Sequence, residues 1–322
     1  MLYRCLKIMA RLALLIFCRK LVINKPSILQ SKGPLLLACN HPNSFLDAVI
    51  LDVLFKQPVW SLARGDAFKG KLISRVLAAL KILPVYRTSE GVENLAENYK
   101  TFDACIQIFK QNGIILIFSE GKCINEWHLR PLKKGTARLA IKAWEENIPL
   151  RVLPVGINYS SFKRFGKNIL LNFGEIISKD DLNSKEADGI KNQAFNNLLQ
   201  QQLEQLVLEI PKKDKEKQSV LLEIKPSLLQ KIALSIPAAI GWLVHMPLFL
   251  PVKKIIWNKT LDNDHYDSIM TGILLLAYPI YLLLIISLLW IFTGNAWSLS
   301  LLFFLPFSAW SYAQLKPQLD NH

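Results

Sequence analysis

Residues 268–315 contain no Asp, Glu, Lys or Arg. An uncharged run of this length does not suit an ordinary soluble surface, and it is long enough for two membrane-spanning helices. Thr293-Gly294-Asn295-Ala296 breaks the run, which places the spans near 269–292 and 297–312. The second is short and holds Pro306. Trp290, Trp297, Trp310 and Tyr312 suit interfacial aromatic belts. The turn has no Lys or Arg, whereas the chain before it is rich in both. The positive-inside rule then puts the turn outside and both ends of the hairpin in the cytosol. Residues 268–322 are therefore expected to form two transmembrane helices and a short tail. Just upstream, residues 232–252 also lack formal charge, but Pro237, Pro247, Pro251 and His245 interrupt them. Proline removes helix hydrogen bonds and a His is costly in hydrocarbon, so 231–267 reads as a re-entrant or interfacial piece.

Composition points the same way. Hydrophobic residues make up 51% of the chain, and 39 Lys and Arg face 25 Asp and Glu, a net charge of +14. Such an excess implies anionic partners: nucleic acid, phospholipid head groups or phosphorylated substrates. No nucleic-acid-binding motif or aromatic–basic stacking platform is present, which leaves membrane lipid and phosphorylated substrate. Residues 1–24 read as an amphipathic helix with Arg4, Lys7 and Arg11 on one face and Leu2, Ile8, Leu12 and Leu15 among the remainder. That pattern suits a helix lying in the bilayer interface. Charges run through the apolar region and no small-residue cleavage site follows, unlike a signal peptide. The five Cys are odd in number and lack zinc-ligand spacing, so all read as reduced thiols in a cytosol-facing protein.

Between these apolar ends, residues 25–210 alternate apolar runs with helical patterns. Strands are expected near 35–39, 59–63, 83–86, 114–118, 151–157 and 169–173, with helices near 44–55, 72–80, 92–111 and 134–146. The fold class is α/β, a mostly parallel central sheet with helices on both faces. A polar, Gln-rich helix follows over 181–210, and residues 211–230 form a charged linker and helix.

Chemistry concentrates where strands end. Cys39-Asn40-His41-Pro42-Asn43-Ser44-Phe45-Leu46-Asp47 is a polar knot between an apolar strand and an apolar helix start. A His with a carboxylate beside it is a general base of fixed tautomer. Ser44-x-x-Asp47 is also a capping box in form, and on that reading Asp47 serves only helix amides. Arg64 and Arg87 each close a strand and offer guanidinium forks to phosphate. Ile115-Leu116-Ile117-Phe118-Ser119-Glu120-Gly121 ends a buried strand on a carboxylate able to accept a hydrogen bond from an acceptor hydroxyl, and on a glycine that permits a turn or close approach. Lys122, Lys133 and Lys134 add cations, the last two at a helix start that favours anions.

Asn40-His41 through Asp47 resembles the first motif of the glycerolipid acyltransferases, the lysophosphatidate and glycerol-3-phosphate acyltransferases. The commonest family spacing is His, four residues, Asp; the five residues here resemble a branch that includes eukaryotic-type glycerol-3-phosphate acyltransferases. Lys81–Arg87 resembles the second motif, whose Arg contacts the acceptor phosphate. Phe118-Ser119-Glu120-Gly121 resembles Phe-Pro-Glu-Gly. Residues 148–159 resemble the fourth motif, which shapes the donor pocket, and 173–177 the segment after it. Where much of the family continues Thr-Arg-Ser, this chain has Lys122-Cys123-Ile124, so the phosphate-holding Arg is missing at 123.

The resemblance implies an enzyme, a membrane-bound O-acyltransferase. It would move a fatty acyl group from acyl-CoA or acyl carrier protein, as co-substrate, to glycerol-3-phosphate or 1-acyl-glycerol-3-phosphate. His41 and Asp47 would be catalytic, and Asn40, Arg64, Arg87, Glu120, Gly121, Lys122, Lys133 and Lys134 would bind substrate. No metal or further cofactor is implied. No G-x-S-x-G elbow is present, so a covalent acyl-enzyme is not required. The catalytic domain is expected on the cytoplasmic face of a bacterial inner membrane. Two alternatives stand: O-acylation of a lyso-aminolipid or other non-phosphate acceptor, and a membrane scaffold with a degenerate acyltransferase domain.

Overall fold

The computed structural model describes residues 2–86, 95–182, 187–260 and 263–320. Seven strands form one sheet: β1 (Cys18–Ile23), β2 (Leu35–Cys39), β3 (Val59–Arg64), β4 (Ile82–Val85), β5 (Ile114–Phe118), β6 (Arg151–Tyr159) and β7 (Lys167–Phe173). Their order is β1-β7-β6-β2-β5-β3-β4. Every neighbouring pair is parallel except β6–β7. Five strands, β2 to β6, therefore share one direction, and their C-terminal ends share one edge.

β2 lies at the centre because its sequence allows nothing else. All five residues are apolar and buried, so the strand needs a layer on each side. The pleat divides them between two cores. Leu35, Leu37 and Cys39 pack with Phe17 of α1 (Leu2–Phe17) and with Leu46, Ile50 and Leu51 of α2 (Phe45–Leu54). Leu36 and Ala38 face α4 (Leu95–Lys110), α5 (Gly135–Glu145) and α6 (Asp188–Leu206) through Phe109, Ala140 and Leu199. α3 (Lys71–Ala79) leads into β4. This is the α/β architecture that the alternation of apolar runs implies.

The N-terminal segment differs from expectation. Residues 1–24 are not one helix: after α1, Cys18–Ile23 joins the sheet edge as β1, parallel to β7. The two charges in it, Arg19 and Lys20, hide a strand that pairs on one side only. Two cations of the α1 stripe, Lys7 and Arg11, reach the domain beneath, while Arg4 is exposed. Lys7 Nζ donates to Phe55 O at 3.1 Å and Arg11 to Val53 O at 2.8 Å, both at the carbonyl end of α2, where helix dipoles favour cations. Leu2, Ile8, Leu12 and Leu15 are left exposed. The charged stretch after residue 211 is ordered as α7 (Lys215–Leu222), with Asp214 accepting from Lys217 N at 2.9 Å and Leu222 buried in the core.

The apolar C-terminal region holds two long helices, α8 (Leu228–Thr260, 33 residues) and α9 (Tyr266–Thr293, 28 residues). Both are long and apolar enough to cross a membrane by length and composition, and only 11% and 6% of their most apolar windows are buried. Their surface is therefore not used up in a core. α8 continues through Pro237, Pro247 and Pro251, where interrupted interfacial structure was expected. Packed neighbours allow a helix to survive its prolines. Tyr281 OH donates to Val244 O at 2.7 Å, and His245 meets Tyr278 OH at 3.2 Å. Conversely, the expected second span is a 3-10 turn (Ala296–Ser300) and the 15-residue α10 (Leu301–Leu315). At 1.5 Å per residue α10 covers about 22 Å, short of a hydrocarbon core of about 30 Å. It packs along α8, closest at Gly241, where a Cβ would stand 2.1 Å from Ser308 O.

Gly241→Val forces α8 and α10 apart. The substitution is expected to destabilise the chain by about 1–3 kcal/mol, read as a lowered Tm of detergent-solubilised protein. An unchanged Tm would show that the two helices do not pack this closely.

Candidate active site

The shared C-terminal edge of the sheet gathers the polar residues. His41 lies two residues past β2, Arg64 ends β3, Glu120 lies two residues past β5, and Tyr159 ends β6. Asp47 comes from the first turn of α2 and has no exposed surface. His41 Nδ1 lies 2.9 Å from Asp47 Oδ2. The same oxygen accepts from Asn43 N at 2.8 Å, and Oδ1 accepts from Tyr159 OH at 2.7 Å. With Nδ1–H donated to Asp47, Nε2 carries the free lone pair and has no hydrogen-bond partner among the described residues. The imidazole stacks on Phe118, with centroids 3.7 Å apart and planes 11° apart. Its side chain is 16% exposed, so the ring is held yet reachable.

The capping-box alternative does not describe this loop. Ser44 makes no side-chain cap bond, and the Asp47 carboxylate turns back to His41 and to Asn43 N. Ser44 instead adopts φ 52°, ψ −143°, a region that non-glycine residues occupy at a cost of about 1–3 kcal/mol. Neighbours hold it there. Ser44 N donates to Cys123 Sγ at 2.9 Å, and Ser44 Oγ lies 2.8 Å from His265 Nδ1. Burial, then the Asp47 charge, raises the Cys123 thiol well above its usual range, so it stays protonated. Burial and the same carboxylate keep Tyr159 a phenol, and so a donor.

Several expected substrate ligands turn out to support the loop. Asn40 exchanges two bonds with Ile157, Nδ2 to O at 3.0 Å and Oδ1 from N at 2.8 Å, which locks the end of β2 to β6. Glu120 is 5% exposed, and its oxygens accept from His41 N at 2.8 Å and Arg130 N at 2.9 Å. Burial raises its carboxyl above the ordinary range, and the two amides and His41 offset only part of that. Gly121 has φ +66° and lies under Lys133, whose Cγ would be 3.0 Å from a Cβ. Lys122, Lys133 and Lys134 are exposed. Arg64 is paired with Asp66. Arg87 lies outside the described residues. Among the described residues, no three His, Cys, Asp or Glu side chains come together as a metal-binding group.

Residues 20–158 match the family model named Acyltransferase. The chain carries an acyltransferase domain. It is similar to a solved structure, the 1-acyl-sn-glycerophosphate (LPA) acyltransferase PlsC from Thermotoga maritima, at 12% identity and a TM-score of 0.43 over 63% of this chain and 77% of that one. No curated protein matches.

Around this acyltransferase domain the structure adds residues that sequence reasoning missed. Asp267 Oδ2 accepts from Asn43 Nδ2 at 2.6 Å and pairs with the fully buried Lys167. Ser268 Oγ donates to Asn43 O at 2.8 Å and accepts from Leu46 N at 3.1 Å. The one hint was the polar cluster Asn263-Asp264-His265-Tyr266-Asp267-Ser268 directly before the uncharged run. Tyr159 lay in a quoted motif without a role, and Cys123 was noted only as a missing Arg.

Tyr159→Phe leaves Asp47 Oδ1 buried without its donor. It is expected to cost about 1–3 kcal/mol, measured by denaturant unfolding; no loss would mean that water reaches Asp47. For Glu120 the raised folded-state pKa means that the folded chain binds more protons than the unfolded one between the ordinary and the raised value. Its contribution is therefore fully present below the ordinary carboxyl pKa and declines as pH rises through the raised one. The difference in unfolding free energy between wild type and Glu120→Gln is expected to fall with rising pH across that window. A difference that grew with pH would contradict the assignment.

Proposed function

We propose that this acyltransferase is membrane-bound and transfers a fatty acyl group from acyl-CoA or acyl carrier protein to a hydroxyl of glycerol-3-phosphate or 1-acyl-glycerol-3-phosphate. The observation that carries the reading is the 2.9 Å contact between His41 Nδ1 and the buried Asp47. It leaves Nε2 as a base at a strand-end cleft. His41 Nε2 removes the acceptor hydroxyl proton while Asp47 holds the ring and stabilises the imidazolium. The oxygen attacks the thioester carbonyl, a C–O bond forms, the C–S bond breaks, and the thiolate leaves with the proton returned by His41. Glu120 and Asn40 hold the loop rather than the substrate. The exposed Lys122, Lys133 and Lys134, with Arg64, supply the positive surroundings that a phosphorylated acceptor or donor requires.

Membrane attachment on the cytoplasmic face of a bacterial inner membrane is part of the same proposal. It is supported by the exposed apolar residues of α1, α8 and α9. Both ends of the α9–α10 hairpin dock on the catalytic domain, through Ser268 at one end and through Gln318, bonded to Asn168 at 2.5 Å, at the other. The uncharged turn at 293–296 is then the far end. A non-phosphate acceptor is a second reading, favoured by one observation: position 123 offers a protonated thiol turned to Ser44 instead of a guanidinium.

His41→Ala is expected to lower transfer by about 10²–10⁴-fold with Tm unchanged. Near-normal turnover would refute the base. A panel of glycerol-3-phosphate, lysophosphatidate and a lyso-aminolipid with one labelled thioester decides the acceptor, and transfer to the lyso-aminolipid alone would establish the second reading.

A further inference from the structure

The loop between His41 and Asp47 is gripped by one short piece of chain far away in sequence, the start of the apolar helix α9. His265 Nδ1 lies 2.8 Å from Ser44 Oγ. Asp267 Oδ2 takes Asn43 Nδ2 at 2.6 Å. Ser268 Oγ holds Asn43 O at 2.8 Å and Leu46 N at 3.1 Å. Asn125 Nδ2 bridges Pro42 O at 2.7 Å and Asp264 O at 3.4 Å. Phe45 completes the set, since a Cβ on Gly272 would stand 3.2 Å from its ring. Every residue between His41 and Asp47 is thus in contact with residues 264–272, directly or through Asn125. Neither His41 nor Asp47 makes a hydrogen bond to that segment.

Burial makes the grip firm. Asn43, Asp267, Ser268 and Lys167 are at most 2% exposed, and Lys167 neutralises Asp267. Water cannot take over these bonds, and a buried polar group that loses its partner pays its full desolvation. The grip also explains how Ser44 persists at φ 52°, a conformation that lasts only where its surroundings over-determine it.

We propose that the first turn of α9 is a positioning element of the active site: it fixes the backbone between His41 and Asp47, so that the seating of an apolar membrane helix sets the geometry of the catalytic pair. This rests on His41 being the base. His265, Asp267 and Ser268 are positioning residues, acting through Ser44, Asn43 and Leu46. Transfer needs the base, the hydroxyl and the thioester in line, and a misplacement of about 1 Å can cost about 10²-fold in rate. A loop freed from α9 loses that alignment while the sheet beneath it stays intact.

The test uses the full chain reconstituted in phospholipid vesicles, with a labelled acyl thioester and whichever acceptor the wild type uses. His265→Leu removes the bond to Ser44 at similar volume, His265→Asn returns a nitrogen donor near the Nδ1 position, and Ser268→Ala removes both bonds to the loop backbone. His265→Leu is expected to lower kcat by about tenfold or more with KM and Tm unchanged, and Ser268→Ala to lower kcat at least as far with KM unchanged and Tm reduced, because it leaves Asn43 O and Leu46 N buried without a partner. His265→Asn should recover most of the loss. Ser44→Ala added to His265→Leu should cost nothing further, because both remove one bond. A His265→Leu loss that tracks a fallen Tm and is not recovered by His265→Asn means that the segment only docks the helix, and overturns the proposal. His41→Ala, run beside them, separates the two readings. If it is inactive while both clamp variants keep wild-type kcat, the positioning role alone is wrong. If it stays active, the base and the clamp that rests on it fall together.

Discussion

A carboxylate taken out of water has to be met by donors, and Asp47 has no exposed surface at all. Three donors meet it: the His41 ring, the Asn43 amide and the Tyr159 phenol. They come from the loop after β2 and the end of β6, while Asp47 itself belongs to α2. The strand pairing has to deliver them together. Cys39 stands opposite Val155 in the β2–β6 ladder, and Asn40 then clips onto Ile157. A slip by one residue would turn every side chain of β2 to the other face and leave Asp47 buried without its partners. The same burial that makes the carboxylate expensive therefore enforces the orientation of the imidazole.

Glu120 shows the same economy from the opposite strand. It looks like a substrate ligand in the sequence, because a carboxylate at a strand end usually faces a cleft. Here β5 sits beside β2, Ser119 N donates to Cys39 O at 2.9 Å, and the carboxylate reaches across to His41 N. Its other oxygen ties down Arg130. One side chain thus links the two loops that flank the ring. The cations Lys122 and Lys133 ride on this framework beside Gly121, where absence of a Cβ leaves room for the Lys133 stem.

How much of this could be read from residues alone depends on the range of each interaction. The runs 35–39, 114–118 and 151–157 declare themselves as strands because each residue's neighbours in sequence suffice to mark it as buried. His41 and Asp47 are legible for a similar reason, since strand, knot and helix are contiguous. The family resemblance read from them agrees with the acyltransferase model match over 20–158. β1 is not legible, because one of its charged residues, Lys20, is exposed on an edge strand and the other, Arg19, is spent on the carbonyls of Ala313 and Lys316, far along the chain. The basic stripe of α1 suits anionic lipid, but the carbonyl end of α2 takes two of its cations, Lys7 and Arg11, at close range. Prolines argue against a continuous α8, yet the helix runs through all three while packed on α9 and α10, elements far along the chain. His265, Asp267 and Ser268 were invisible as site residues because their role exists only across some two hundred residues of intervening chain.

The longer His41–Asp47 spacing and the missing Arg at 123 are two sides of one arrangement. An added residue between a strand-end His and a helix-borne Asp must bulge somewhere if the two side chains are still to meet. Between His41 and Asp47 it is Ser44 that takes the positive φ. Its backbone N–H then points away from the helix and needs an acceptor. The Cys123 sulfur is that acceptor, at 2.9 Å. A guanidinium has five donors and no acceptor, so an Arg at 123 would face Ser44 N donor to donor. The Ser44 hydroxyl finds His265. The substituted motif position and the start of the apolar helix thus meet at one residue, Ser44, and the exposed cations nearby in sequence are Lys122 and Lys133.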